Sequence, residues 1–160
     1  MNDLLNKNSV KIVSNFLNEF DAKISIILLK NTARSAQEAA ESLNVETGAI
    51  VKSLIFKTIN NEYFLCLVSG DKQVSLDKIY QIFKKDIIKP NADEVKEFTG
   101  FSIGGIPPIA HKKKIKTYID ISLNRFNKLF AAAGHPYCVF EITFEKLCKI
   151  SDGEIIDIIS

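Results

Sequence analysis

The sequence predicts an α+β fold built on a mixed, partly closed sheet. Two observations carry this. Apolar runs of strand length recur along the chain among segments of helical periodicity, but without the strict strand–helix alternation of a doubly wound sheet. Neither GxGxxG nor GxxxxGK[ST] is present, so the nucleotide-binding folds that carry those phosphate loops lack their mark.

Taken in order, SVKIVSNFLNEF (9–20) places Val10, Val13, Phe16, Leu17 and Phe20 at helical spacing and predicts an amphipathic helix on the core. ISIILL (24–29) reads as a strand. In SAQEAAESLNV (35–45), Ser35 with Glu38 three residues on is a capping box for a short helix. Gly48 leads into a strand, GAIVKSLIF (48–56). Asn60-Asn61 then turns a hairpin into YFLCLVS (63–69), which Gly70-Asp71 ends. LDKIYQIFKK (76–85) is helical, and DIIKP (86–90) is a short strand stopped by its proline. NADEVKEFTG (91–100) has an Asn cap, Glu94 three on and a terminal Gly100, so both helix ends are marked. FSIGGIPPIAH (101–111) cannot be regular. TYIDISL (117–123), LFAAAG (129–134) and YCVFEI (137–142) supply further strands. TFEKLCK (143–149) is a short helix capped by Thr143, and EIIDII (154–159) is a last strand.

At 160 residues, with 46% hydrophobic and 25% charged, the chain has the composition of one soluble domain over 1–160. No apolar run reaches membrane-spanning length, and MNDLLNKNSV lacks the pattern of a signal peptide, so a cytoplasmic protein without a membrane partner is expected. Cys66, Cys138 and Cys148 are odd in number and widely spaced, which predicts reduced thiols. With only His111 and His135, and neither CxxC nor HxxxH, no metal and no cofactor are expected.

The chemistry gathers at two places. Strand alternation sets Lys52 on the same face as Ile50, Leu54 and Phe56, within an apolar strand. An unpaired ammonium there is costly, so Lys52 is paired with an acid such as Asp120, neutral, or facing a wet cavity. Its neighbour Ser53 points the other way, which argues against a Ser–Lys dyad. The second place is the loop GGIPP (104–108): adjacent glycines free backbone N–H groups, and two prolines stiffen the far side. Such amides can hold an oxyanion or a phosphate; the plainer alternative is a connecting loop. Directly after it, residues 111–130 hold six Lys or Arg (Lys112, Lys113, Lys114, Lys116, Arg125, Lys128) against Asp120. That stretch fits either a phosphate-bearing partner or a solvated turn. His111 opens the basic run and His135 sits at a turn.

Several segments, in this order, resemble the YbaK/EbsC family: TARSAQEAAESLNVETGAIVKSLIF (32–56), SGDKQVSLDKI (69–79), TGFSIGGIPPIAH (99–111), YID (118–120) and AAAGHP (131–136). That family is related to the editing domain inserted in bacterial prolyl-tRNA synthetase, and the match spans about residues 10 to 159. The resemblance implies a mixed, barrel-like sheet flanked by helices. It also implies hydrolysis of the ester between a wrong amino acid and tRNA by a stand-alone domain. Residue by residue, the family lysine falls on Lys52, its GxxxP loop on Gly104, Gly105, Ile106, Pro107 and Pro108, and its later glycine on Gly134.

On this reading Lys52 meets the terminal phosphate or the reacting ester, the Gly104 and Gly105 amides stabilise the oxyanion, and water attacks with or without the terminal ribose hydroxyl. Ile106, Pro107, Pro108, Gly134 and His135 contact substrate. His111, Lys112, Lys113, Lys114 and Lys116 meet the tRNA acceptor end. An aminoacyl-tRNA synthetase is a further expected partner. The competing class is a non-catalytic module binding a tRNA end or small ligand beside a synthetase. Two departures bear on the substrate: Ala132 and Ala133 stand where some members have a serine before the glycine, and Ala110 where others have a second glycine.

Overall fold

The computed structural model describes residues 2–160. Five helices flank one sheet: α1 (Asn8–Phe20), α2 (Ala36–Leu43), α3 (Leu76–Phe83), α4 (Ala92–Thr99) and α5 (Phe144–Ser151). The strands are β1 (Ile26–Leu28), β2 (Ile50–Thr58), β3 (Tyr63–Ser69), β4 (Ile87–Ile88), β5 (Lys116–Asp120), β6 (Leu129–His135), β7 (Cys138–Ile142) and β8 (Glu154–Ile156). Their order is β1-β7-β6-β2-β3-β5-β8, with β4 on β2. Pairings β2–β6, β3–β5 and β5–β8 are parallel and the others antiparallel. The sheet curls into a half-barrel, which is the mixed α+β architecture expected from the sequence.

Alternation along β2 and β3 explains the layers. Leu65 and Leu67 join Val51 and Ile55 on one face, in a core closed by Val10, Val13 and Leu17 of α1, Val95 of α4 and Leu147 of α5. Phe64, Cys66 and Val68 face the other way, against Ile79 of α3, with Leu54 and Phe56 packed beside them. On that side Ala39 and Ala40 of α2 pack on Ile50 and Phe130. Each large side chain so buried contributes about 1.5–3 kcal/mol.

Helix α1 buries a narrower stripe than its spacing predicts. Val10, Val13 and Leu17 are buried, whereas Phe16 and Phe20 remain 40% and 38% exposed. At 100° per residue those two rings lie at the flank of the stripe. Ser35 caps α2 by accepting from the Glu38 amide at 3.1 Å, but the Glu38 carboxylate takes the Thr32 hydroxyl at 2.8 Å instead of closing the box. At α4 the capping box is complete. TYIDISL leaves the sheet at Asp120, which caps a 3-10 turn over Ile121–Arg125.

Candidate functional site

A cavity of about 370 Å³ opens where β2 and β6 part. The two strands pair only at Ile50–Phe130 and Val51–Ala131. Beyond that, the loop after α4 takes the place of β2 at the β6 edge, because the Gly134 amide donates to the Gly105 carbonyl at 2.9 Å. The cavity is walled by Arg34–Ala36 at the start of α2, by Ile50–Leu54 of β2, by Ile103–Ile106 of the loop and by Phe130–Ala132 of β6.

Lys52 stands on the predicted face, half-buried, and its ammonium donates to the Lys72 carbonyl. Burial holds its pKa below the ordinary 10.5, and the nearby Asp71 carboxylate opposes that shift. The proposed partner Asp120 is elsewhere: it is fully buried and accepts from the Ser122 amide at 2.9 Å and the Ile158 amide at 2.8 Å. The turn under Lys52 is braced. Arg125 donates to Asp71 and to Ser69 Oγ, both at 2.9 Å, and the Ser69 hydroxyl donates to the Gly48 carbonyl. The Arg125 guanidinium holds the Asp71 carboxyl below its usual range.

Gly104 (φ +100°) and Gly105 reach the cavity together with Ile106. The Gly105 amide is turned into the loop, donating to the Ser102 carbonyl at 3.3 Å. Among the described residues no backbone carbonyl takes the Gly104 amide. Pro107 and Pro108 do not line the cavity. Pro107 is held from behind, where the His111 Nε2–H donates to its carbonyl at 2.7 Å and the His111 ring meets Phe101 edge-on. Ala110 has φ +68°, a left-handed position that favours glycine, at a cost of about 1 kcal/mol. Gly134 and His135 support the loop without lining the cavity; His135 accepts the Tyr137 amide at its Nδ1, 3.1 Å away.

The basic run is not gathered at this cavity. Lys112, Lys113 and Lys114 are exposed. Lys113, Lys114 and Lys116 border a separate groove with Phe16 and residues 150–152. Lys113 covers the Phe98 ring, and Lys116 pairs with Glu154 at 3.5 Å. The exposed cation at the cavity is Arg34, which the sequence reading passed over. Its signal was an arginine directly before the Ser35 cap, which ties it to a helix start.

No Cys, His or Tyr lines the cavity. Burial pushes the Cys66 thiol up to about 12, and it raises Cys138 as well. No group of three or more His, Cys, Asp or Glu among the described residues could hold a metal. No described helix is long and apolar enough to cross a membrane.

Burial lowers the His111 pKa below its ordinary 6.5, with the bond to Pro107 opposing. The unfolded chain then takes up a proton that the folded one resists, so stability is lost as pH falls below 6.5. Thermal midpoints measured from pH 7.5 down to 5 should fall in the wild type, and His111→Gln should flatten that slope. His135, also lowered by burial, contributes in the same direction.

The comparisons with known proteins agree with this architecture. YwhH, an uncharacterized protein of Bacillus subtilis (strain 168), is 29% identical over 149 residues, covering 92% of this chain and 94% of its own. EbsC of Enterococcus faecalis (strain ATCC 700802 / V583), named as a candidate Cys-tRNA(Pro)/Cys-tRNA(Cys) deacylase, is 26% identical over 127 residues, with 78% of this chain and 76% of EbsC covered. The crystal structure of a candidate trans-editing enzyme for prolyl-tRNA synthetase superposes with a TM-score of 0.89 at 30% identity, over 96% of this chain and 98% of that one. The family model for the aminoacyl-tRNA editing domain matches residues 30–150, from before α2 into α5 and across every wall of the cavity, and the chain belongs to that family.

Proposed function

We propose that the chain is a stand-alone deacylase that hydrolyses the ester between a small, wrongly attached amino acid and tRNA, with tRNA-Pro as the favoured body. The observation that carries this reading is the convergence of the Lys52 side chain and the Gly104 end of the loop on one cavity. The volume, about 370 Å³, admits an aminoacyl ester. Water attacks the ester carbonyl, the bond to the ribose oxygen breaks, and the proton from water passes to that oxygen, directly or by way of the neighbouring ribose hydroxyl. The Lys52 ammonium and the Gly104 amide stabilise the negative charge that develops on the carbonyl oxygen. Gly105 shapes the loop more than it donates, since its amide is already engaged.

Arg34 meets the terminal phosphates at the cavity mouth, and Lys112–Lys114 meet phosphates further along the acceptor stem. Charge reversal in Arg34→Glu should lower kcat/KM on full-length tRNA about tenfold at low salt, with the difference shrinking toward 0.5 M salt as screening takes over. Equal rates at low salt would remove Arg34 from the interface. The reaction itself is tested by time courses with alanyl-, cysteinyl-, seryl- and threonyl-tRNA on matched and mismatched tRNA bodies. Rapid hydrolysis of one or a few is the expected result. Binding without turnover of any would show a non-catalytic module instead.

A further inference from the structure

The free stretch of the β2 edge carries an inference that rests on the deacylase reading. In the β2–β3 pair the Gly70 amide donates to the Ile50 carbonyl and the Thr58 amide to the Glu62 carbonyl. The register between these fixed points is unbroken, with Lys52 opposite Val68 and Ser53 opposite Leu67. Hydrogen-bonded pairs alternate along an antiparallel ladder, so the even-numbered residues of β2 bond to β3 and the odd-numbered ones turn their N–H and C=O outward. Val51 meets β6 on that outer side, and Lys57 meets β4. Ser53 lies between, where neither strand pairs with it, and it lines the cavity. The Gly134 amide, which would bond the Ser53 carbonyl if the parallel ladder ran on, is taken by Gly105. The Ser53 hydroxyl is buried while the residue as a whole is part-exposed, so the accessible part of Ser53 is its main chain and Cβ.

We propose that the aminoacyl group docks on Ser53 as a single added strand residue. Its α-ammonium donates to the Ser53 carbonyl, and its ester carbonyl accepts from the Ser53 amide. An aminoacyl ester has the same N–Cα–C=O spacing as a strand residue, and β-edge addition of this kind draws its affinity from main-chain bonds. The pairing presents the ester carbon between the Ser53 amide and the loop. It makes an α-amino donor a condition of the substrate class, whatever the small side chain.

The test compares alanyl-tRNA with propionyl-tRNA, which lacks only the amine, each as acceleration over its spontaneous hydrolysis. If alanyl-tRNA is a poor substrate, the best aminoacyl ester and its desamino counterpart replace the pair. At least a tenfold smaller acceleration for the desamino ester is expected. Ser53→Pro, which takes away the amide outside the β2–β3 ladder, should cost as much while retaining the wild-type circular dichroism. Equal accelerations for the two esters overturn the proposal even if the proline variant fails to fold. If no aminoacyl ester is hydrolysed, the deacylase reading itself falls. Docking is then judged by the Kd of 3′-amide-linked alanyl and propionyl acceptor-stem analogues, where equal values overturn it and tenfold tighter alanyl binding upholds it.

Discussion

Lys52→Met is expected to give a folded, slightly more stable protein whose deacylation kcat has fallen by about 10²–10³, the scale for losing one preorganised group at a developing oxyanion. The loss should be in kcat more than in KM, because the ammonium acts on charge that appears only in the transition state. Methionine keeps much of the length and the apolar stem of lysine, so the walls formed by Ile50 and Leu54 keep their contacts.

The stability gain follows from the same burial. The Lys52 pKa is held below 10.5, chiefly by desolvation, so the folded state binds this proton less tightly than the unfolded chain does. Between the lowered value and 10.5 the unfolded state carries more protons, and wild-type stability therefore rises with pH through that window. Below it, the protein carries a cost that methionine removes. The gain should show as a higher thermal midpoint for Lys52→Met at pH 7. The gap between the two proteins should narrow as pH approaches 10.5. A variant less stable than wild type at pH 7 would mean that the bond from Lys52 to the Lys72 carbonyl is a structural tie first.

Local signals were the legible part of this fold. The caps at Ser35, Asn91 and Thr143 each accept from the amide three residues on, which is a property of four consecutive residues. The α+β class and the face that carries Lys52 followed from periodicity. The parting of β2 from β6 was not legible. It depends on Gly105 and Gly134, 29 residues apart, interlocking across the β6 edge, and periodicity holds no record of such a contact. Nor was the distance between the basic run and the cavity legible: Ile106 lines the cavity, whereas Pro108 to His111 already border the separate groove of Lys113, Lys114 and Lys116. The resemblance supplied the residues of the loop; the structure separates the ones that line the cavity from the ones that brace it.

Gly105→Ala should cost about 1–3 kcal/mol of stability and about 10² in kcat, for a reason different from any at Gly104. A Cβ at 105 would lie 2.8 Å from the His135 nitrogen and 3.0 Å from the Gly134 carbonyl carbon, both main chain. Strand β6 cannot retreat, because Gly134 (φ +90°) is itself pressed on α1: a Cβ there would sit 2.6 Å from the Ser9 carbonyl oxygen. The loop must move instead, breaking the bond from the Gly134 amide and carrying Ile103, Gly104 and Ile106 out of the cavity wall. At Gly104 an added Cβ would meet only Arg34 Cγ at 3.8 Å and Pro136 Cγ at 3.9 Å, so there is room, and the cost is the φ of +100° alone. Thermal unfolding and deacylation of the two variants separate these causes. Gly105→Ala should lose both stability and kcat. Gly104→Ala should lose about 1–2 kcal/mol of stability, with a smaller effect on kcat than Gly105→Ala. If Gly105→Ala keeps wild-type kcat, the loop is not the wall that positions the ester, and the cavity would have to be completed by β2 and α2 alone.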